Sequence, residues 1–184
     1  MDANLLRFVE LSQATQSQIE ELLKVRNSDF VSSAMLNSAE INLWEHLNWT
    51  KSAILDATRK DFLLCLVSGQ VVGYTSLRSI DLLSGKAEWT FFLAEEYSGL
   101  GVGRHLAAHT LNYGFVTLGL RAIFAKALQS NLNSQRFLRK LGFVPTDEFY
   151  PEVNEKHLLI SMFIQENYIE TYGFFNGKNG MRKL

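Results

Sequence analysis

Ser98-Gly99-Leu100-Gly101-Val102-Gly103-Arg104 spaces three glycines between a strand-like run, Glu88–Ala94, and a helix-like run, His105–Leu118. Glycine reaches backbone conformations closed to other residues, so such a loop brings N–H groups close to an anion, and the N-terminus of the next helix adds partial positive charge. The chemistry on offer is phosphate binding, with an ordinary strand-to-helix turn as an equal alternative on this motif alone. A nucleoside-triphosphate loop needs Lys-Ser or Lys-Thr after its last glycine, where Arg104-His105 stands. A dinucleotide-binding turn belongs in an early βαβ unit with an acidic residue closing the next strand. Here the loop lies past mid-chain and the next strand, Ala122–Ala127, ends in Lys126-Ala127.

The run Asn131-Leu132-Asn133-Ser134-Gln135-Arg136-Phe137-Leu138-Arg139-Lys140-Leu141-Gly142-Phe143 follows downstream. Together the two motifs resemble the GNAT superfamily of acyl-CoA-dependent N-acyltransferases. The first matches its pattern of Gln or Arg, two residues, Gly, one residue, then Gly or Ala, with Ser98 in place of Gln or Arg. The second matches its asparagine-to-KLGF helix and strand, and the core resemblance runs from Glu88 to Phe143. It implies acetyl-CoA as cosubstrate and no metal. The pyrophosphate would lie on the backbone of Gly99, Leu100, Gly101, Val102, Gly103 and Arg104. The pantetheine would pair with Phe91, Phe92 and Leu93 as a strand does and be reached by Asn131.

Acetyl transfer needs a neutral amine, a polarised carbonyl and a proton for the departing thiolate. The resemblance implies the Leu93 backbone N–H as oxyanion donor and Glu88 as the base that draws the ammonium proton through water; the alternative for Glu88 is a solvated strand-end carboxylate. Many relatives place a tyrosine seven residues after the asparagine as general acid, where this chain has Leu138. Ser134 or Tyr97 is a substitute that nothing in the sequence selects.

Arg26-Asn27, Met35, and Ile41 to Trp49 with Glu45-His46 inside it resemble the nucleotide-aminosugar N-acetyltransferases of the pseudaminic acid pathway. Ala87-Glu88-Trp89-Thr90-Phe91 is similar to their strand motif, with Thr90 replacing glycine, and the tail from Gly173 to Leu184 is similar too. That implies transfer to the 4-amino group of a UDP-linked amino sugar, a precursor in flagellin glycosylation. Arg26 and His46 would meet its diphosphate; Met35, Trp49 and, less directly, Trp89 would offer flat apolar surface. The plainer readings are a helix C-terminal cap for Arg26, a solvated helix residue for His46, and core for Met35 and Trp49. The competing functions are a GNAT acting on a polyamine or a protein N-terminal amine, and a catalytically silent acyl-CoA-binding module.

Bulk properties fit this scale of chemistry. A chain of 184 residues, 47% hydrophobic, with a formal net charge of −1, suits one buried domain and gives no broad attraction to nucleic acid or anionic membrane. The single cysteine, Cys65, sits in an apolar run and reads as a buried strand thiol. No signal-peptide or bilayer-spanning run is visible, so a cytoplasmic location is expected, and a homodimer is left open. His105 and His109 share a helix face, and with no third ligand nearby they read as a helix-surface pair rather than a metal site.

The elements that must position these residues begin with a strand, Leu5–Val9, and a helix from Gln16 to about Val25, entered by Thr15 and Gln18 at capping-box spacing. Asn37 and Glu40 predict a second helix start, running through Trp49 towards Leu55. Phe62–Val67 and Val71–Ile80 flank Ser68-Gly69-Gln70 as a hairpin. Glu88–Ala94, the glycine loop and its helix, Ala122–Ala127 and a helix from about Ser134 to Leu141 then alternate. Phe143–Phe149 and His157–Ile164 close the pattern as an antiparallel pair around Pro151 and Asn154. The expected architecture is mixed α/β: a GNAT-like, mostly antiparallel central sheet flanked by helices, with a splayed parallel pair beside the glycine loop. One domain over residues 1–171 would carry it, followed by a basic, glycine-containing tail, 172–184.

Overall fold

The structure, a computed structural model, describes residues 5–146 and 158–172. Seven strands form one sheet: β1 (Leu6–Glu10), β2 (Lys60–Leu66), β3 (Val71–Asp81), β4 (Lys86–Leu93), β5 (Ala122–Leu128), β6 (Val144–Pro145) and β7 (Leu158–Ile164), in the order β1-β2-β3-β4-β5-β7-β6. The β1–β2, β2–β3, β5–β7 and β6–β7 pairs are antiparallel and β4–β5 is parallel. The helices are α1 (Gln16–Asn27), α2 (Asp29–Ser32), α3 (Leu43–Leu55), α4 (Val102–Asn112), α5 (Leu132–Leu141) and α6 (Gln165–Tyr172). The mixed α/β sheet expected from the sequence is the one found. No helix among the described residues is long and apolar enough to cross a membrane.

The chain divides into two compact units. One gathers the residues up to Arg78 with Thr90–Leu106, and the other gathers Ser79–Trp89 with the residues from Ala107 onward.

In the first unit β2 is buried on both faces over Asp61–Cys65 and β3 over Val71–Leu77, which is why Phe62–Leu66 reads as an unbroken apolar run. Leu63, Cys65, Val71 and Tyr74 pack with Leu22 of α1 and Ala53 of α3, while Leu64 and Val72 pack with Val102 and Leu106 of α4. Thr15 and Gln18 cap α1 reciprocally, as their spacing predicts. The Asn37–Glu40 spacing does not start a helix. Instead the Asn37 side chain accepts from the Ala39 N–H at 3.0 Å, and α3 begins five residues later with a capping box of Asn42 and Glu45. The cause lies in Asn27, whose side chain bonds both the carbonyl and the N–H of Ile41 (2.8 and 3.1 Å) and so holds that backbone out of a helix until residue 42.

The second unit is organised by aromatic rings. Trp89 stacks on Phe143 (5.6 Å), Phe143 on Phe163 (5.3 Å), and Phe115 lies against Phe163 and Tyr168. Trp89 is 2% exposed and is therefore core, not an acceptor surface. Gly142 ends α5 in the left-handed region (φ +99°), and a Cβ there would meet Phe163 Cε2 at 2.6 Å, which accounts for the glycine of the KLGF run. The glycine-loop helix starts earlier than expected, at Val102, and gives way after Asn112 to one π-helical turn, Tyr113–Thr117. The final strand pair is shorter than expected on the β6 side, and α6 occupies residues not assigned to a helix from sequence. The Pro151–Asn154 turn, residues 147–149, His157 and the tail beyond Tyr172 lie outside the described residues.

Candidate active site

The glycine loop has the geometry an anion cradle needs. Gly99 and Gly101 adopt φ of +76° and +83°, both are exposed, and a Cβ built on either meets nothing within 4 Å, so the loop stands open to solvent. The loop runs directly into α4, whose first-turn N–H groups face outward from the helix end. The Arg104 N–H donates to the Gly101 carbonyl at 3.1 Å, closing the first turn. Val102, fully buried under Leu106, anchors that turn to the unit's core.

β4 carries Glu88 and the segment Phe91–Leu93 on one continuous strand. Its parallel ladder with β5 runs from Lys86↔Ala122 to Trp89↔Ala125 and stops there, although β4 continues to Leu93. On β3, Gly73 makes room for the end of β4: a Cβ there would lie 2.6 Å from Leu93 Cδ2 and 2.9 Å from the Phe92 carbonyl. The Ala94 N–H donates to the Val72 carbonyl at 2.9 Å, tying the strand's exit to β3. Phe91, Leu93 and Tyr97 pack around the Val72–Leu106 cluster, and Phe92 packs with Tyr74 on the other face.

Glu88 is not a solvated strand-end carboxylate. It is four-fifths buried and paired with Lys126 on β5, Nζ to Oε2 at 2.5 Å. Nothing in the sequence spacing marks this partner; the parallel register brings it near by pairing Glu88 with Phe124, two residues before Lys126 on β5. Asn131 caps α5: its Oδ1 accepts from the Ser134 N–H at 3.0 Å. Leu138, seven residues after Asn131, is 2% exposed and packs as core.

Arg26, His46 and Trp49 come together in the first unit. Arg26 Nη2 donates to the Asn37 carbonyl at 2.6 Å, so the guanidinium pins the turn after α2 rather than capping α1. His46 is 4% exposed, not solvated. Its Nε2 meets the Ile19 carbonyl at 3.0 Å, which requires the tautomer protonated there, and its ring stacks on Trp49 at 5.2 Å. Desolvation lowers its pKa against the opposing Ile19 hydrogen bond, and Arg26 adds to the lowering, so at neutral pH His46 is an uncharged flat surface and leaves Arg26 as the cation of the pair. Met35 lies half-buried in the turn between α2 and α3. Sequence reasoning passed over Arg59, Asp61 and Tyr74, which form a buried polar cluster beside Trp49. The signal was present as a charged pair two residues apart at the head of an apolar strand. Among the described residues no three His, Cys, Asp or Glu side chains gather to hold a metal ion.

A family profile described as the acetyltransferase (GNAT) domain matches residues 9–144. Spermidine N(1)-acetyltransferase of Escherichia coli K12 is 29% identical over 84 residues, 46% of this chain and 45% of that protein, so the chain spans under half the length of this curated relative. Spermidine N-acetyltransferase from Vibrio cholerae, solved with CoA and spermine, superposes with a TM-score of 0.78 at 19% identity, over 90% of this chain and 99% of that one. The Campylobacter jejuni N-acetyltransferase PseH, solved with acetyl coenzyme A, gives a TM-score of 0.66 at 20% identity, over 88% and 99%.

Proposed function

The chain belongs to the acetyltransferase (GNAT) family, and on that premise we propose that it moves the acetyl group of acetyl-CoA onto the primary amine of a small molecule, the 4-amino group of a UDP-linked amino sugar being the acceptor its residues fit best. The open backbone at Gly99 and Gly101 and the start of α4 suit the cofactor's pyrophosphate, and the stretch of β4 beyond its ladder with β5 suits the amides of the pantetheine. By its match to the family asparagine, Asn131 would reach the same arm with its side-chain amide.

In the reaction the amine nitrogen attacks the thioester carbon, the C–N bond forms, the C–S bond breaks and CoA leaves as thiolate. The Leu93 N–H would donate to the oxygen as charge develops, and Glu88, paired with Lys126, would take the ammonium proton through water. With Leu138 in the core, the thiolate takes its proton from solvent, which a leaving group of pKa about 8.5 tolerates.

The observation that carries the acceptor is the Glu88–Lys126 pair. A polycationic amine is drawn to a surplus of carboxylate, and here the carboxylate on β4 is matched by an ammonium at 2.5 Å, so the pair has no net charge. An acceptor bearing a diphosphate is not repelled by it, and Arg26 with the flat His46–Trp49 surface suits a nucleotide. The polyamine reading is favoured by a different observation, the spermidine acetyltransferases among the similar proteins.

The test is acetylated product, read by mass spectrometry, from the purified chain given acetyl-CoA with a UDP-4-amino sugar, spermidine or a peptide. The sugar is expected to be acetylated at the highest kcat/KM; preference for spermidine overturns this acceptor. Lys126→Met should then raise kcat/KM for spermidine relative to the sugar by about tenfold, the effect of roughly one unmatched charge.

A further inference from the structure

Arg59, Asp61 and Tyr74 form a closed polar cluster in the first unit. Arg59 reaches both oxygens of Asp61 through Nε and Nη2 (2.7 and 2.6 Å) and also donates from Nη2 to the Tyr74 hydroxyl at 3.2 Å, while that hydroxyl donates to Asp61 Oδ1. The side chains of Arg59 and Asp61 are only 12% and 3% exposed. The register explains the meeting: Leu63 pairs with Tyr74 and Asp61 with Ser76, so Asp61 and Tyr74 are diagonal neighbours on one sheet face. Burial, then the Asp61 carboxylate, pushes the Tyr74 phenol above its ordinary range, which fixes it as a neutral donor.

A buried ion pair is a poor stabiliser by itself, because apolar residues of the same volume usually do as well. What this one does is hold rings. The Arg59 guanidinium lies over Trp49 at 5.4 Å, Tyr74 meets Trp49 edge-on at 6.0 Å, and the other neighbour of Tyr74 is Phe92, stacked at 5.1 Å and 27°. Trp49 is half-buried on α3, and Phe92 belongs to the end of β4. One phenol, hydrogen-bonded to both Arg59 and Asp61, therefore touches both the ring assigned to the acceptor and the strand assigned to the acyl carrier.

We propose that Arg59, Asp61 and Tyr74 are positioning residues for acetyl transfer, registering the Trp49 surface against the Phe91–Leu93 segment so that the amine arrives in line with the thioester. This rests on the acceptor role given to Trp49 and the cofactor role given to β4. A displacement of about 1 Å at such a junction costs about a hundredfold in rate, while the glycine loop keeps its hold on the cofactor.

The test uses Tyr74→Phe, which keeps the ring and its stack on Phe92 but deletes the hydroxyl, together with Arg59→Lys, which keeps the charge but loses the fork. Each variant is labelled with 5-fluorotryptophan, and the Trp49 resonance is assigned with Trp49→Phe. Expected is a shifted or broadened Trp49 signal with those of Trp44 and Trp89 unmoved, acetyl-CoA KM within about twofold of the parent, and acceptor kcat reduced about ten- to a hundredfold. A moved Trp49 signal with unchanged acceptor kinetics overturns the positioning role and leaves the proposed activity standing. A fall in both substrates' kinetics in step with the fraction of folded protein also overturns it, as a stability effect. If the unmodified chain acetylates neither acceptor, the reading on which the proposal rests fails first, and visibly apart from the variants.

Discussion

Burial pushes the His109 imidazole down to about 4, and desolvation lowers His46 as well, so both rings are neutral in the folded chain at physiological pH. His109 is thus not the solvated helix-surface residue its spacing to His105 suggests. The consequence has a definite sign. In the unfolded chain a histidine takes up a proton near its ordinary value of 6.5, while folded His109 resists until about 4, so stability is full above pH 6.5 and falls as pH drops from there to 4. The loss attributable to His109 is on the order of 3 kcal/mol. Urea midpoints between pH 7.5 and 4.5 should show a steeper decline for the parent than for His109→Gln, and parallel curves would refute the neutral buried ring. Residue type and spacing made the glycines legible, because their chemistry is local, and the family resemblance singled out Glu88 and Asn131. The Lys126 partner of Glu88 and the Arg59–Asp61–Tyr74 cluster depend on strand register, which no window of sequence contains.

Elements were legible where a single local device sets their limits. The Thr15–Gln18 box opens α1 as its spacing predicts, and Gly142 closes α5. The same logic failed at Asn37 because a side chain from a different helix, Asn27, already holds the backbone at Ile41. Gly142 offers a quantitative test of how a cap and a packing contact combine. Its φ is +99° and a Cβ would come within 2.6 Å of Phe163, whereas Gly119, at φ +66°, has nothing within 4 Å. Gly119→Ala should cost only the backbone penalty, about 1 kcal/mol, and Gly142→Ala about 2–3 kcal/mol, both as lower urea midpoints with unchanged slope. Equal losses would mean that Phe163 gives way without cost.

At the scale of the molecule, the sheet's class followed from the alternation of elements, but the division into two units did not. Its boundaries fall inside β3, β4 and α4, so no linker composition announces them. A ligand that binds only the folded chain raises its melting temperature by mass action, and acetyl-CoA at about a hundred times its Kd should add roughly 2.7 kcal/mol, a rise of about 5–10 °C. Gly101→Asp sets a side chain and a negative charge at φ +83° in the open cradle, where a Cβ itself meets nothing. The unliganded variant should melt within a few degrees of the parent and gain nothing from acetyl-CoA; an undiminished gain would place the pyrophosphate elsewhere. Finally, Cys65 is the chain's one sulfhydryl, fully enclosed, with its ionisation discouraged by desolvation. A mercaptan-specific dye added to the native protein should therefore stay colourless until turnover liberates coenzyme, so each molecule of product can be counted optically without blocking or replacing any residue.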